Sequence, residues 1–210
     1  MITRSWLIRH GEHESKVHGR CYGALDVALS EKGRFQMMQV ARHLTDEPIA
    51  AIYSSPQRRA LESASLIARP HARSCEIVAD LREINFGDLE GLTYDDIAIR
   101  YPDLYRQWME APTEVRFPNG ESFTEMRIRV LAAFAGIQQR NEGQTFAVVT
   151  HGGVIRIVIA QALQMPEQCV FRLAQDYAAI NLLAWTDGYP SLQLLNCQPW
   201  NRRDSLEGLG

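Results

Sequence analysis

The sequence predicts an α/β fold whose central sheet is mostly parallel and flanked by helices, and three observations support this. Short apolar or β-branched runs at 2–8, 49–53, 75–79 and 145–150 alternate with helical patterns, the order that produces parallel strands joined by crossover helices. Two of these runs end alike, "WLIRHGE" at 6–12 and "FAVVTHGG" at 146–153, each an apolar stretch stopping at histidine and glycine. A length of 210 residues suits one domain with a substantial core.

The elements follow in order. The first helix is expected to start at Ser30, because Met37, Val40, Ala41 and Leu44 then share one face. "SSP" at 54–56 is expected to open the second, with Ser55 as the capping residue and Pro56 in the first turn, and the helix then runs to about Ala68. Ser122 and Glu125 form a capping-box pattern ahead of the stripe Met126, Val130, Ala133, Phe134 and Ile137. The helix after Gly153, "VIRIVIAQALQM", is apolar almost all round and should be buried and stop before Pro166, with Arg156 as its odd member. Residues 178–185 and 191–196 are expected to be strands joined across "TDGYP", which adds one antiparallel element. The segment 84–120 is different. It holds Phe86, Tyr94, Tyr101, Tyr105 and Trp108, is broken by prolines and lacks a convincing strand, so it is expected to be a small helical cap inserted between the third and fourth strands. The reading is a single domain over 1–198 with a mobile tail at 199–210.

Composition excludes several functions. Twenty-two Lys and Arg against twenty-five Asp and Glu leave a net charge of -3 without a basic block, which disfavours nucleic-acid binding. Cys21, Cys75, Cys169 and Cys197 are scattered, without zinc-site pairing or disulfide density, and no basic-then-apolar leader precedes residue 6. No apolar stretch reaches the length of a membrane span. The expectation is a reduced, cytoplasmic protein, with a homodimer allowed and no membrane or nucleic-acid partner.

Open α/β sheets bind ligands beyond the carboxyl ends of their strands. The groups expected there are Arg9, His10 and Gly11 after the first strand, Arg58 and Arg59 after the second, Glu83 after the third, and His151, Gly152 and Gly153 after the fourth. Guanidinium forks bind phosphate oxygens in pairs. A neutral imidazole can attack phosphorus, a second can steady the charge on the equatorial oxygens, and a carboxylic acid can protonate the departing oxygen. The glycines are expected to let backbone approach the ligand. No cofactor or metal is called for. His10, Glu12, His13 and His151 are metal-ligand types, but Arg9 and Arg59 would repel a divalent cation and no H-E-x-x-H spacing occurs. A serine hydrolase would need a G-x-S-x-G elbow, which is missing.

At "LIRHGE" (7–12), "YSSPQRRALESA" (53–64), "LREINFGDLEG" (81–91) and "VVTHGG" (148–153), the chain resembles the histidine phosphatase superfamily of phosphoglycerate-mutase-like proteins. The resemblance implies that His10 becomes phosphorylated, that Arg9 and Arg59 bind phosphate, that Glu83 is the acid and that His151 is the second histidine. Two departures stand out. His13 and Lys16 occupy positions where the family commonly has threonine and asparagine, and Ser63 replaces a usual threonine. Lys16 is still expected to donate to a phosphate oxygen. "GRCYGALDVALSEKG" (19–33) and "RFPNGESF" (116–123) look most like α-ribazole phosphatases of the cobalamin pathway, which adds Tyr22 and Gly23, beside Gly11 and Gly152, as candidate substrate-binding residues.

Seven acids against three arginines give residues 84–116 a charge of -4, which is expected to disfavour a small polyanion. The expected partner is therefore a small phosphorylated metabolite, and hydrolysis of its single phosphate ester, through the phosphohistidine that the resemblance implies, is the expected reaction. A cofactor-dependent phosphoglycerate mutase, a broad-specificity sugar-phosphate phosphatase and a non-catalytic phospholigand binder are the alternatives.

Overall fold

The computed structural model describes residues 1–14 and 19–199. Lys16 and residues 200–210 of the expected tail lie outside the described residues. Six strands, β1 (Ile2–Arg9), β2 (Ile49–Ser54), β3 (Cys75–Ile77), β4 (Thr145–Thr150), β5 (Ile180–Thr186) and β6 (Tyr189–Cys197), form one sheet in the order β3-β2-β4-β1-β5-β6. β3, β2, β4 and β1 are mutually parallel, while β5 runs antiparallel to both β1 and β6. The late antiparallel element is thus a hairpin, turning through Asp187 and Gly188 with φ of 51° and 85°, the paired left-handed conformation that Asp-Gly accommodates.

The helices are α1 (Glu31–His43), α2 (Arg58–Ala68), α3 (Tyr94–Arg100), α4 (Pro102–Glu110), α5 (Phe123–Arg140) and α6 (Gly152–Ala162). The alternation along each strand sorts them into two layers. Trp6, Ile8, Ile52 and Val149 face α1 and α2, packing on Met37, Val40, Leu44 and Ile67. Leu7, Tyr53, Phe146 and Val148 face α5 and α6, packing on Phe134, Ile137 and Val158. None of the described helices is long and apolar enough to cross a membrane.

The capping expectations hold at two helices and fail at one. Ser30 accepts from the Gly33 amide, and Ser122 with Glu125 forms a complete capping box. The second helix starts at Arg58 with Gln57 at the cap position and no side-chain cap bond from it, and the Arg58 amide donates to Asp26 Oδ1 at 2.7 Å. Ser55 prolongs strand pairing instead, its amide donating to Val149 O at 3.1 Å, and its hydroxyl is taken by a histidine. β3 is shorter than expected because a 3-10 turn takes over at Ala79–Leu81. α6 begins at Gly152, two residues earlier than its apolar pattern, because His151 is already its extended capping residue. The segment between β3 and α5 carries α3 and α4, which cover the carboxyl ends of the strands.

Candidate active site

β1 and β4 are neighbours and parallel, with Arg9 opposite Thr150. The His10 amide donates to Thr150 O at 2.9 Å, so His10 and His151 leave adjacent strands at one level. Their ring centroids are 5.1 Å apart at 61°, and they are 2% and 0% exposed. His10 Nδ1 lies 2.8 Å from Gly11 O. A carbonyl only accepts, so Nδ1 carries the hydrogen and Nε2 keeps the lone pair. Burial, reinforced by the charges of Arg59 and Arg9, holds His10 well below the ordinary imidazole range. Burial and the same cations do this to His151 as well, with His10 contributing. Both rings are neutral at physiological pH, as a nucleophile and a neutral donor require.

The two arginines are held in the same way. Arg9 Nη1 donates to Gln175 O, and its Cζ sits 4.3 Å from the Tyr177 ring centroid. Arg59 donates to Leu25 O at 2.7 Å and Gly23 O at 2.8 Å, with its Cζ 5.3 Å from the Tyr22 ring centroid. Each guanidinium keeps a buried Nε without a partner, as does His151 at Nδ1. Buried donors normally find acceptors. Arg9 and Arg59 line one cavity with His10, which favours an anion there, while His151 packs against the His10 ring and is not among the lining residues. Arg58, the other candidate from sequence, lies at the surface and pairs with Glu62.

Glu83 closes the group. Oε1 accepts from the Ile84 amide and Oε2 from the Gly153 amide, each at 3.0 Å. Gly153 is small for the sake of this carboxylate, since a Cβ there would lie 2.4 Å from Oε1. Gly152 leaves room for the forks of Arg156 and Arg9. Gly11 corrects the expectation that it admits a ligand: its missing Cβ lets β1 approach the backbone of Gly33, where a Cβ would sit 2.4 Å from the carbonyl oxygen. Gly23 likewise has its backbone committed to protein, its carbonyl to Arg59 and Gln57 and its amide to Glu90.

A cavity of about 290 Å³ opens above these groups. Arg9, His10, Arg59, Glu83 and Arg156 form its polar part, and Phe86, Tyr94, Trp108 and Phe117 are among its aromatic walls. Tyr22 also lines it, whereas Tyr101 and Tyr105 pack into the core. None of the acids of the cap lines this space. Glu90 caps the amides of Gly23, Ala24, Leu25 and Phe86, Asp96 closes the α3 capping box, and Asp88 binds Asn119. Glu83 is the lining acid against Arg9, Arg20, Arg59 and Arg156, so net cap charge is a poor guide to what the cavity accepts. Among the described residues no cluster of three His, Cys, Asp or Glu is placed to hold a metal ion. Glu12 is turned away, bonded to Ser30 and Lys32.

Sequence reasoning missed several supporting residues. Ser55 Oγ lies 2.7 Å from His151 Nε2 and fixes that ring. Arg129 binds the carbonyls of Asp80, Arg82 and Glu83 while pairing with Glu121, which pins the segment carrying the acid. Gln57 Oε1 accepts the Glu83 amide at 2.9 Å. Ser63 accepts the Gly11 amide at 3.2 Å and donates to Arg59 O at 2.7 Å. Arg156 carried a signal, as a charge on an otherwise apolar helix, whereas Tyr177 and Gln175 sit in a loop with no periodicity.

The model of the histidine phosphatase superfamily (branch 1) matches residues 5–198. The chain belongs to the histidine phosphatase superfamily. Within this superfamily it is 36% identical to phosphoserine phosphatase 1 of Hydrogenobacter thermophilus over 84% of each chain. It is 35% identical to a bifunctional protein of Mycobacterium tuberculosis over 92% of its own length but only 54% of that protein, so the chain spans about half of that relative. The crystal structure of the α-ribazole phosphatase from Shigella flexneri superposes with a TM-score of 0.85 at 26% identity, covering 93% of this chain and 96% of that one.

Proposed function

We propose that the protein hydrolyses phosphate monoesters through a phosphohistidine on His10. The observation that carries this reading is His10, with the lone pair on Nε2, sharing one cavity with the guanidinium groups of Arg9 and Arg59 and the carboxyl of Glu83. In the first half-reaction Nε2 attacks phosphorus and the ester P–O bond breaks in line. A protonated Glu83 gives its proton to the leaving oxygen, and Arg9, Arg59 and His151 hold the phosphoryl oxygens. The bond from Nδ1–H to Gly11 O supports the positive charge that His10 then carries. In the second half-reaction water gives a proton to Glu83 and attacks phosphorus, which releases orthophosphate and restores neutral His10.

The aromatic walls Phe86, Tyr94, Trp108 and Phe117 support a leaving alcohol with a flat apolar body, and α-ribazole 5'-phosphate, a cobalamin-pathway intermediate, fits that description. A second reading, a carboxylate-bearing phosphoester such as phosphoserine, is favoured by Arg156 and Arg20 in the same cavity and by the name of the H. thermophilus relative. The test is p-nitrophenyl phosphate turnover with and without EDTA, followed by a panel of α-ribazole 5'-phosphate, phosphoserine and 3-phosphoglycerate. Chelator-indifferent activity and acid-labile phosphate on the wild type, both lost in His10→Ala, are expected. A His10→Ala variant that keeps most of its rate would overturn the nucleophile.

A further inference from the structure

Tyr177 belongs to no strand or helix, yet it touches Arg9, His10 and Tyr22. Its ring faces the Arg9 guanidinium, Cζ 4.3 Å from the centroid, and lies 5.8 Å from the His10 ring. Its loop is tied to the nucleophile, because Ala178, at φ 56°, donates its amide to His10 O at 2.9 Å. Its hydroxyl is 2.9 Å from the Tyr22 hydroxyl, and Tyr22 lies under Arg59. The two phosphate-side arginines therefore rest on two tyrosines that are bonded to each other. The pair ends at buried His13, whose Nε2 is 2.7 Å from the Tyr177 hydroxyl. His13 Nδ1 donates to Glu14 O at 2.9 Å, so in its neutral form the ring accepts at Nε2. This orders the bonds, with Tyr177 donating to His13 and Tyr22 donating to Tyr177. Burial and Tyr177 raise the Tyr22 phenol above its ordinary range, which keeps that proton in place.

We propose that Tyr177 and Tyr22 are positioning residues that set the spacing of Arg9 and Arg59 around the phosphoryl group, with His13 as their anchor. The inference rests on the reading of the pocket as a phosphate site. It also gives His13 a purpose where the superfamily commonly has threonine, since a threonine side chain is too short to bring a ring acceptor to the Tyr177 hydroxyl. Neither tyrosine needs to touch the reacting atoms. Aromatic faces steady a desolvated guanidinium, and the hydroxyl bridge keeps the two faces from drifting apart.

The test measures orthophosphate affinity by calorimetry together with kcat and KM for p-nitrophenyl phosphate, on Tyr177→Phe, Tyr22→Phe and the double variant. Each single change is expected to weaken orthophosphate and lower kcat/KM by about tenfold, and the double change by about the same rather than about 100-fold, because either one breaks the bridge. His13→Gln, which keeps an acceptor, should retain most of the affinity that His13→Leu loses. Wild-type orthophosphate affinity in folded Tyr177→Phe, or multiplicative losses in the double variant, would overturn the proposal. If Tyr177→Phe does not fold, unchanged affinity in Tyr22→Phe overturns it equally. A wild type that binds orthophosphate but hydrolyses no ester would instead refute the proposed activity, and the affinity cycle would still be readable.

Discussion

Gly153→Ala separates the acid from the rest of the site. The added Cβ would lie 2.4 Å from Oε1 of Glu83, 3.2 Å from its Cδ and 3.1 Å from Met126 Cε. Ordinary contact starts near 3.4 Å, so the oxygen must retreat by 3.4 minus 2.4, about 1 Å. What retreats is the end of a side chain, and alanine is a better helix former than glycine by up to about 1 kcal/mol. Stability is thus expected to change by less than about 1 kcal/mol, because the local clash and the helix gain oppose each other. The retreat also stretches the 3.0 Å bond from the Gly153 amide to Oε2, which aims the carboxyl. A displacement of about 1 Å in a catalytic group costs on the order of 10²-fold in rate. The loss should fall on alkyl phosphates, whose alkoxide needs a proton, and largely spare p-nitrophenyl phosphate, whose phenolate leaves unaided. The assay is steady-state kinetics on both substrate types beside a thermal melt. Equal losses on the two substrates, or wild-type kcat on the alkyl ester, would refute the reasoning.

Two further outcomes follow from the buried histidines. Above about pH 6.5 neither the folded nor the unfolded chain protonates His10 or His151, whereas below it only the unfolded chain does, because burial and the arginines depress both folded pKa values. Stability should therefore fall as pH drops from about 6.5 towards the folded pKa values, by up to about 1.4 kcal/mol per pH unit for each ring. Denaturant unfolding between pH 7 and 5 should show a shallower slope for His151→Gln, and slopes identical to the wild type would contradict the assignment. Ser55→Ala removes the 2.7 Å partner of His151 Nε2. It should cost about 1–3 kcal/mol and lower kcat more than it raises KM. An unchanged kcat would show that the hydroxyl does not orient that ring.

The polar chemistry of this site was visible wherever it obeyed a local rule. His-Gly at the ends of two apolar runs places both imidazoles at one edge of a parallel sheet, because strands of alternating βα units all run the same way. Arg156 stood out on an apolar helix for a similar reason. Ser55 shows where such reasoning stops. Its sequence context is that of a helix cap, and the strand pairing to Val149 and the demand of His151 for a partner overrode it. The net charge of the cap is a loose guide for the same reason, since Glu90, Asp88 and Asp96 are engaged in capping and turn bonds that no composition records.

Amino-acid order by itself determined the α/β alternation, the helical cap and the family motifs carrying the nucleophile, the acid and the phosphate-side arginines, because periodicity and strand-end chemistry are local properties of the chain. Only the folded molecule decided that Gly153 makes room for Glu83, and that Tyr177 joins Tyr22 and His13 behind both arginines. These contacts link residues as far as 164 positions apart. Their distances depend on how β1, β5 and the intervening loops pack against one another, which no local pattern encodes.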